Sequence, residues 1–178
     1  MTTIINFYAG PSVGKSVAAA DVFAHLKKLG ENAELVQEYI KQWAWEDRTP
    51  VTNDQFYIFG KQARREYTLH NRADFIVTDA PLAICVYYAH VYGSPEFSQV
   101  FQDMYKLFRK QAEANGIKYV DVFLRRTKPY QSSGRFQTEQ EATQIDKDLK
   151  RFLEIDLGIK LIESDPDSVV GDVKGLIE

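Results

Sequence analysis

Cysteine is nearly absent: Cys85 is the one thiol in 178 residues. An internal disulfide is excluded, and a reducing cytoplasm is the expected compartment. Cys85 lies in the apolar stretch from Leu82 to Tyr88 and reads as a small core residue rather than a nucleophile. Long apolar runs are missing as well. No segment approaches the ~20 apolar residues that span a bilayer, and Met1-Thr2-Thr3-Ile4-Ile5 has no basic character, so neither a membrane partner nor secretion is expected. An excess of charge of either sign is also missing. The formal net charge of -3 lacks the broad field of a non-specific nucleic-acid binder. His25, His70 and His90 show no metal-ligand spacing, which argues against zinc. There is no internal repeat and no Gly/Ser linker. The length suits one domain, residues 1–178, and 44% hydrophobic residues are enough to fill its core.

What is present alternates. Short apolar runs at Ile4–Tyr8, Ala33–Val36, Phe75–Thr78, Tyr119–Leu124 and Ile159–Ile162 predict five strands. Helical spacing predicts helices over Ser16–Leu29, Asp54 to about His70, from just after Pro81, Glu96 to Ala114, Thr138–Leu157 and Ser168–Ile177. Residues 39–52 read as irregular, and Asn53 as the N-cap of the helix that follows. In the helix from Glu96, Val100, Met104, Leu107 and Phe108 share one face. In the helix from Thr138, Ala142, Ile145, Leu149 and Phe152 face inward. Strands separated by helices imply α/β architecture: a five-stranded parallel sheet in three layers.

The strongest signal is Ala9-Gly10-Pro11-Ser12-Val13-Gly14-Lys15-Ser16, which fits [Ala/Gly]-x-x-x-x-Gly-Lys-[Ser/Thr]. Glycines let successive N–H groups curl toward phosphate oxygens, and the helix that opens here, with Val17 in its first turn, presents its positive end to the same anion. Lys15 reaches the β- and γ-phosphates of ATP, and Ser16 offers a hydroxyl to Mg²⁺. The motif follows a predicted strand and opens a predicted helix, as this mechanism requires.

In open α/β sheets ligands sit at the carboxyl ends of the strands. Glu38 lies just past the second strand and Asp79 ends the third. Phosphoryl transfer needs one carboxylate to take or orient the acceptor hydroxyl proton and another to hold Mg²⁺ through water. Glu38 suits the first role and Asp79 the second, and the two are interchangeable on sequence alone. The helix from Asp54 places Lys61, Arg64 and Arg65 on one face. It also offers Tyr57 and Gln62, which suit gripping a base by stacking and paired hydrogen bonds.

Glu38-Tyr39-Ile40-Lys41-Gln42-Trp43 resembles the Glu-Pro-x-x-x-Trp motif of deoxynucleoside kinases, with Tyr39 in place of the proline. The phosphate loop, Asp79-Ala80-Pro81 and Gly134-Arg135-Phe136-Gln137-Thr138-Glu139 are similar to nicotinamide riboside kinases and to small P-loop kinase or ATPase proteins of tailed bacteriophages. The resemblance implies strand order 2-3-1-4-5, Glu38 as general base, Trp43 lining the acceptor pocket, and a lid over about residues 125–138. It implies that Arg135 acts on the transferring phosphoryl group, with Arg125 and Arg126 next in line. It also implies that the stretch Glu163–Val169, with Asp165, cups the adenine.

The expected activity is transfer of the γ-phosphate of ATP, with Mg²⁺, to a hydroxyl of a nucleoside, nucleotide or related small molecule. A kinase acting on a hydroxymethylated base in DNA, and a P-loop ATPase or partner protein without kinase activity, are the alternatives. Self-association into a homodimer is left open.

Overall fold

The computed structural model describes residues 1–127, 129–130 and 138–177. Five parallel strands, β1 (Thr3–Tyr8), β2 (Ala33–Val36), β3 (Phe75–Thr78), β4 (Lys118–Leu124) and β5 (Ile162–Ser164), form one sheet in the order β2-β3-β1-β4-β5. This is the expected order. Among the described residues the α-helices are α1 (Lys15–Lys28), α2 (Lys41–Trp45), α3 (Asp54–Tyr67), α4 (Leu82–Tyr92), α5 (Pro95–Ala114), α6 (Glu139–Arg151) and α7 (Val169–Ile177).

The central strand β1 is buried on both faces, as a strand covered by helices on each side must be. Alternate residues divide the two cores. Ile5 and Phe7 pack with Val77, Val122 and Leu124 against Ala18, Val22 and Leu26 of α1 and Val173 of α7. Tyr8 and Phe123 face a second core built from α3, α4, α5 and α6, including Phe59, Val86, Phe101 and Leu149. The expected three layers therefore form.

Several local expectations are corrected. Residues 39–52 are not wholly irregular, because α2 forms over Lys41–Trp45 and buries Trp43. Asn53 does not cap α3: its backbone is already helical and its side chain makes no cap bond. Instead Asp54 reaches back, its Oδ2 accepting from the Val51 N–H at 3.0 Å. The helix ends at Tyr67 rather than near His70.

On α5 the inward residues are Phe101, Tyr105 and Ala112, with Met104 and Phe108 partly buried. Val100 and Leu107 are exposed. The long helix expected to reach Leu157 stays α-helical only to Arg151, and a π-helical turn covers Phe152–Asp156. The fifth strand lies later than expected. Ile159 is a core plug whose N–H bonds Leu153, and pairing with β4 begins at Val122 opposite Ile162. Hydrophobicity marked the buried residue, whereas strand register was set by the neighbouring strand.

One polar cluster is built into the second core. Asn6 and Asp121 sit opposite one another in the β1–β4 register. Asp121 accepts from Asn6 Nδ2 at 2.8 Å, from the Tyr8 hydroxyl at 3.0 Å and from Arg109 Nη2 at 2.8 Å. Arg109 also donates to the Tyr105 hydroxyl at 3.0 Å. Removing one partner of a buried ion pair strands the other, at about 3–5 kcal/mol. Asp121→Ala is therefore expected to cost that much in urea-denaturation stability, and Asp121→Asn less, because the amide still accepts hydrogen bonds. Equal stability of Asp121→Ala and the parent would show that the cluster contributes nothing.

Candidate active site

The phosphate loop runs from the end of β1 to the start of α1. Gly14 occupies the N-cap of α1 with φ +113° and no side-chain cap bond, a conformation that favours glycine. The N-cap position itself thus supplies no side chain to the first N–H groups of the helix. Val13 is buried beneath the loop and Val17 is exposed. Lys15 Nζ curls back onto the loop, donating to Ala9 O at 2.7 Å and Gly10 O at 3.0 Å.

The parallel neighbours of β1 bring the carboxylates to the same edge. Ser16 Oγ donates to Asp79 Oδ2 at 2.5 Å, and Asp79 Oδ1 accepts from the Glu38 N–H at 3.1 Å. Asp79 is buried and Glu38 half-buried. The chain Ser16–Asp79–Glu38 thus joins the ends of three strands. Helix α4 walls it on one side. Burial, and then the charge of Glu38, push the Cys85 thiol up to about 12. The same two causes, in the same order, raise the Tyr88 hydroxyl.

Beyond Glu38 lies an aromatic cluster. Trp43 and Tyr57 are near-parallel, with centroids 6.2 Å apart, and the Tyr39 hydroxyl donates to that of Tyr57 at 2.9 Å. Each ring carries a cation. The Arg48 guanidinium lies 3.4 Å from the Trp43 centroid, Lys61 Nζ 5.3 Å from Tyr57 and the Arg65 guanidinium 5.1 Å from Tyr39. Gln62 does not present its amide to this cluster. It is buried, its Oε1 accepts from the Tyr39 N–H at 3.0 Å and its Nε2 donates to Gln37 O at 3.5 Å. Arg65 likewise donates to Gln37 O, at 3.0 Å.

The two arginines after β4 part company. Arg125 turns outward, 54% exposed, and forms a two-pronged pair with Asp165 at 2.8 Å on both prongs. Arg126 turns inward onto the loop, donating to Pro11 O at 2.8 Å and to Asp146 Oδ2 at 2.7 Å. The 163–168 segment does reach the phosphate loop: a Cβ on Gly14 would lie 3.6 Å from the Pro166 side chain. Arg135, with residues 128 and 131–137 of the stretch expected to form a lid, lies outside the described residues.

Two side chains of this region carry no motif. Arg48 has no sequence signal, because its ring partner Trp43 is set by folding. Asp146 had a faint one: it lies four residues after the inward Ala142, on the same helix face.

No protein-family model matches the chain, and no curated protein does. Solved structures do. A deoxyadenosine kinase from M. mycoides with bound dATP superposes with a TM-score of 0.57 at 14% identity, covering 98% of this chain and 98% of that one. With the strand order and the phosphate loop, this defines the P-loop kinase fold. The NadR protein in complex with NR superposes with a TM-score of 0.58 at 17% identity, covering 91% of this chain and 43% of that one. This chain therefore spans less than half of that relative. A third neighbour, APE1195, has a TM-score of 0.50 at 11% identity, with 99% and 94% covered. Among the described residues no helix is long and apolar enough to cross a membrane.

The Cys85 thiol, raised to about 12 by burial and by Glu38, is expected to stay protonated and inert at pH 8. Iodoacetamide should label the native chain far more slowly than the urea-unfolded chain. Equal rates would place Cys85 in an open, reactive setting.

Proposed function

We propose that this chain is an ATP-dependent kinase that transfers the γ-phosphate to a hydroxyl of a nucleoside, nucleotide or related small molecule. The observation that carries the reading is the Ser16–Asp79–Glu38 chain at the mouth of the phosphate loop. The loop amides and Lys15 bind the β- and γ-phosphates. Asp79 already holds the Ser16 hydroxyl, so it is the metal-side carboxylate, and Glu38 is the base. These hard oxygen donors suit Mg²⁺, which when bound neutralises charge on the phosphates. Glu38 takes the acceptor hydroxyl proton, the acceptor oxygen bonds to the γ-phosphorus, and the bond to the bridging β–γ oxygen breaks to release ADP. Tyr39 and Trp43, soon after the base in the chain, and Tyr57 of α3 supply aromatic faces on the acceptor side. The dATP-bound and NR-bound structures that share the fold support an acceptor of nucleoside type.

A second reading has its own support. Arg48, Lys61 and Arg65 gather on those three rings, and such a patch suits the backbone of a DNA acceptor carrying a hydroxymethylated base. The test is transfer from γ-labelled ATP to nucleosides, monophosphates, nicotinamide riboside and hydroxymethylated DNA, with Lys15→Ala as the blank. Label on a free compound is expected. Salt-sensitive labelling of DNA alone would favour the second reading, and ATP hydrolysis with no acceptor labelled would leave an ATPase.

Glu38→Gln keeps the shape of the side chain and removes the base. It is expected to leave ATP affinity unchanged and to lower turnover about 10²-fold or more. Collapse of ATP binding with a normal residual rate would make Glu38 a metal-side or structural residue.

A further inference from the structure

A carboxylate is an unfavourable neighbour for a loop that binds a polyanion, yet Asp146 of α6 reaches this one. Its Oδ1 accepts from the Gly10 N–H at 2.7 Å and its Oδ2 from Arg126 Nε at 2.7 Å. Arg126 Nη2 in turn donates to Pro11 O at 2.8 Å, and more weakly to Ala142 O at 3.4 Å. Both side chains are largely buried, at 15% and 16% exposure, and the bonds are charge-assisted, the strong kind. Arg126 Nη1 is buried with no partner among the described residues. Among the described residues, the Asp146 carboxylate and the Arg126 guanidinium therefore stitch one face of the phosphate loop to α6.

Gly10 shows how close this approach is. A Cβ there would strike the Asp146 carboxylate and lie 3.0 Å from Ala142 O. Its φ is not among the positive values that mark Gly14, so backbone conformation does not require glycine at this position. The docking of α6 does. The second residue of the phosphate motif is thus read by the helix that follows the lid segment.

We propose that Asp146 is a positioning residue: it neutralises Arg126 and locks it to the phosphate loop, which orders the site for transfer and weakens the hold on the triphosphate. The proposal rests on the kinase reading above. Its electrostatic part follows from the pairing. With Arg126 in place the carboxylate is compensated. With Arg126 removed, an unpaired negative charge remains against the loop and repels the incoming phosphates.

The experiment measures Mg-ATP affinity by calorimetry and phosphoryl transfer in a single turnover. Asp146→Asn can still accept from Gly10 and loses its charge. It is expected to bind ATP as well as the parent or better, while the transfer rate falls about 10²-fold, the scale of a misplaced group. Gly10→Ala, which pushes α6 away, is expected to show the same loss of rate. Arg126→Gln is expected to weaken ATP binding, and D146N to raise ATP affinity more in the R126Q background than in the parent, the non-additivity of two groups in contact.

Weaker ATP binding by D146N with an unchanged rate would overturn the proposal, as would a double variant no better than R126Q. If D146N does not fold, D146S carries the same expectation, and failure of both to fold would make Asp146 a structural latch only. A parent protein that labels no acceptor would defeat the kinase reading by itself, and the two ATP-binding arms would still decide the electrostatic part.

Discussion

The hydrogen bond from Ser16 to Asp79 is the contact on which the arrangement of this molecule turns. It joins the first turn of α1 to the end of β3, and it exists because β3 pairs with β1 in parallel, from Thr3 opposite Phe75 to Asn6 opposite Thr78. Parallel strands end at the same edge, so the phosphate loop after β1, Asp79 after β3 and Glu38 after β2 arrive together. Asp79 then uses its second oxygen to hold the Glu38 backbone. One carboxylate sets the spacing between the phosphate loop and the proposed base.

That edge is supported from behind by buried polar residues. Gln62 spends its amide on the backbone of Gln37 and Tyr39, so the segment that carries Glu38 is tied to α3. Buried amides must be satisfied, and here that requirement fixes a loop. Asp121 does the same for the core, drawing Asn6, Tyr8 and Arg109 onto one carboxylate. The aromatic cluster of Tyr39, Trp43 and Tyr57 is held differently, by ring packing and by cations on the ring faces.

On the opposite side of the phosphate loop, two adjacent arginines have opposite fates. Arg125 continues from β4 into solvent and pairs with Asp165, while Arg126 is turned under α6 and bonds the loop. Adjacent residues on an extended segment point to opposite sides, so only one of the pair can face the loop. Which one is decided by the strand register of β4.

Much was determined by the sequence alone. The pattern Gly-Lys-Ser after a strand and before a helix is local, because the left-handed turn at Gly14 and the start of α1 lie within a few neighbouring residues. Alternating strand and helix periods are local too, and with the kinase resemblance they led to the observed strand order, β2-β3-β1-β4-β5. The tertiary structure decided whatever depends on partners distant in the chain. The start of β5 waited on β4 to set its register. The inward residues of α5 were chosen by the helices it packs against, so Phe101 and Tyr105 are buried while Val100 and Leu107 are not. Gln62, which suits a base on paper, was taken by a backbone 23 residues away, and Asp146 met Gly10 across 136 residues. Sequence spacing carries periodicity and motif, but a hydrogen bond or an ion pair between remote residues is settled only when the chain has closed on itself.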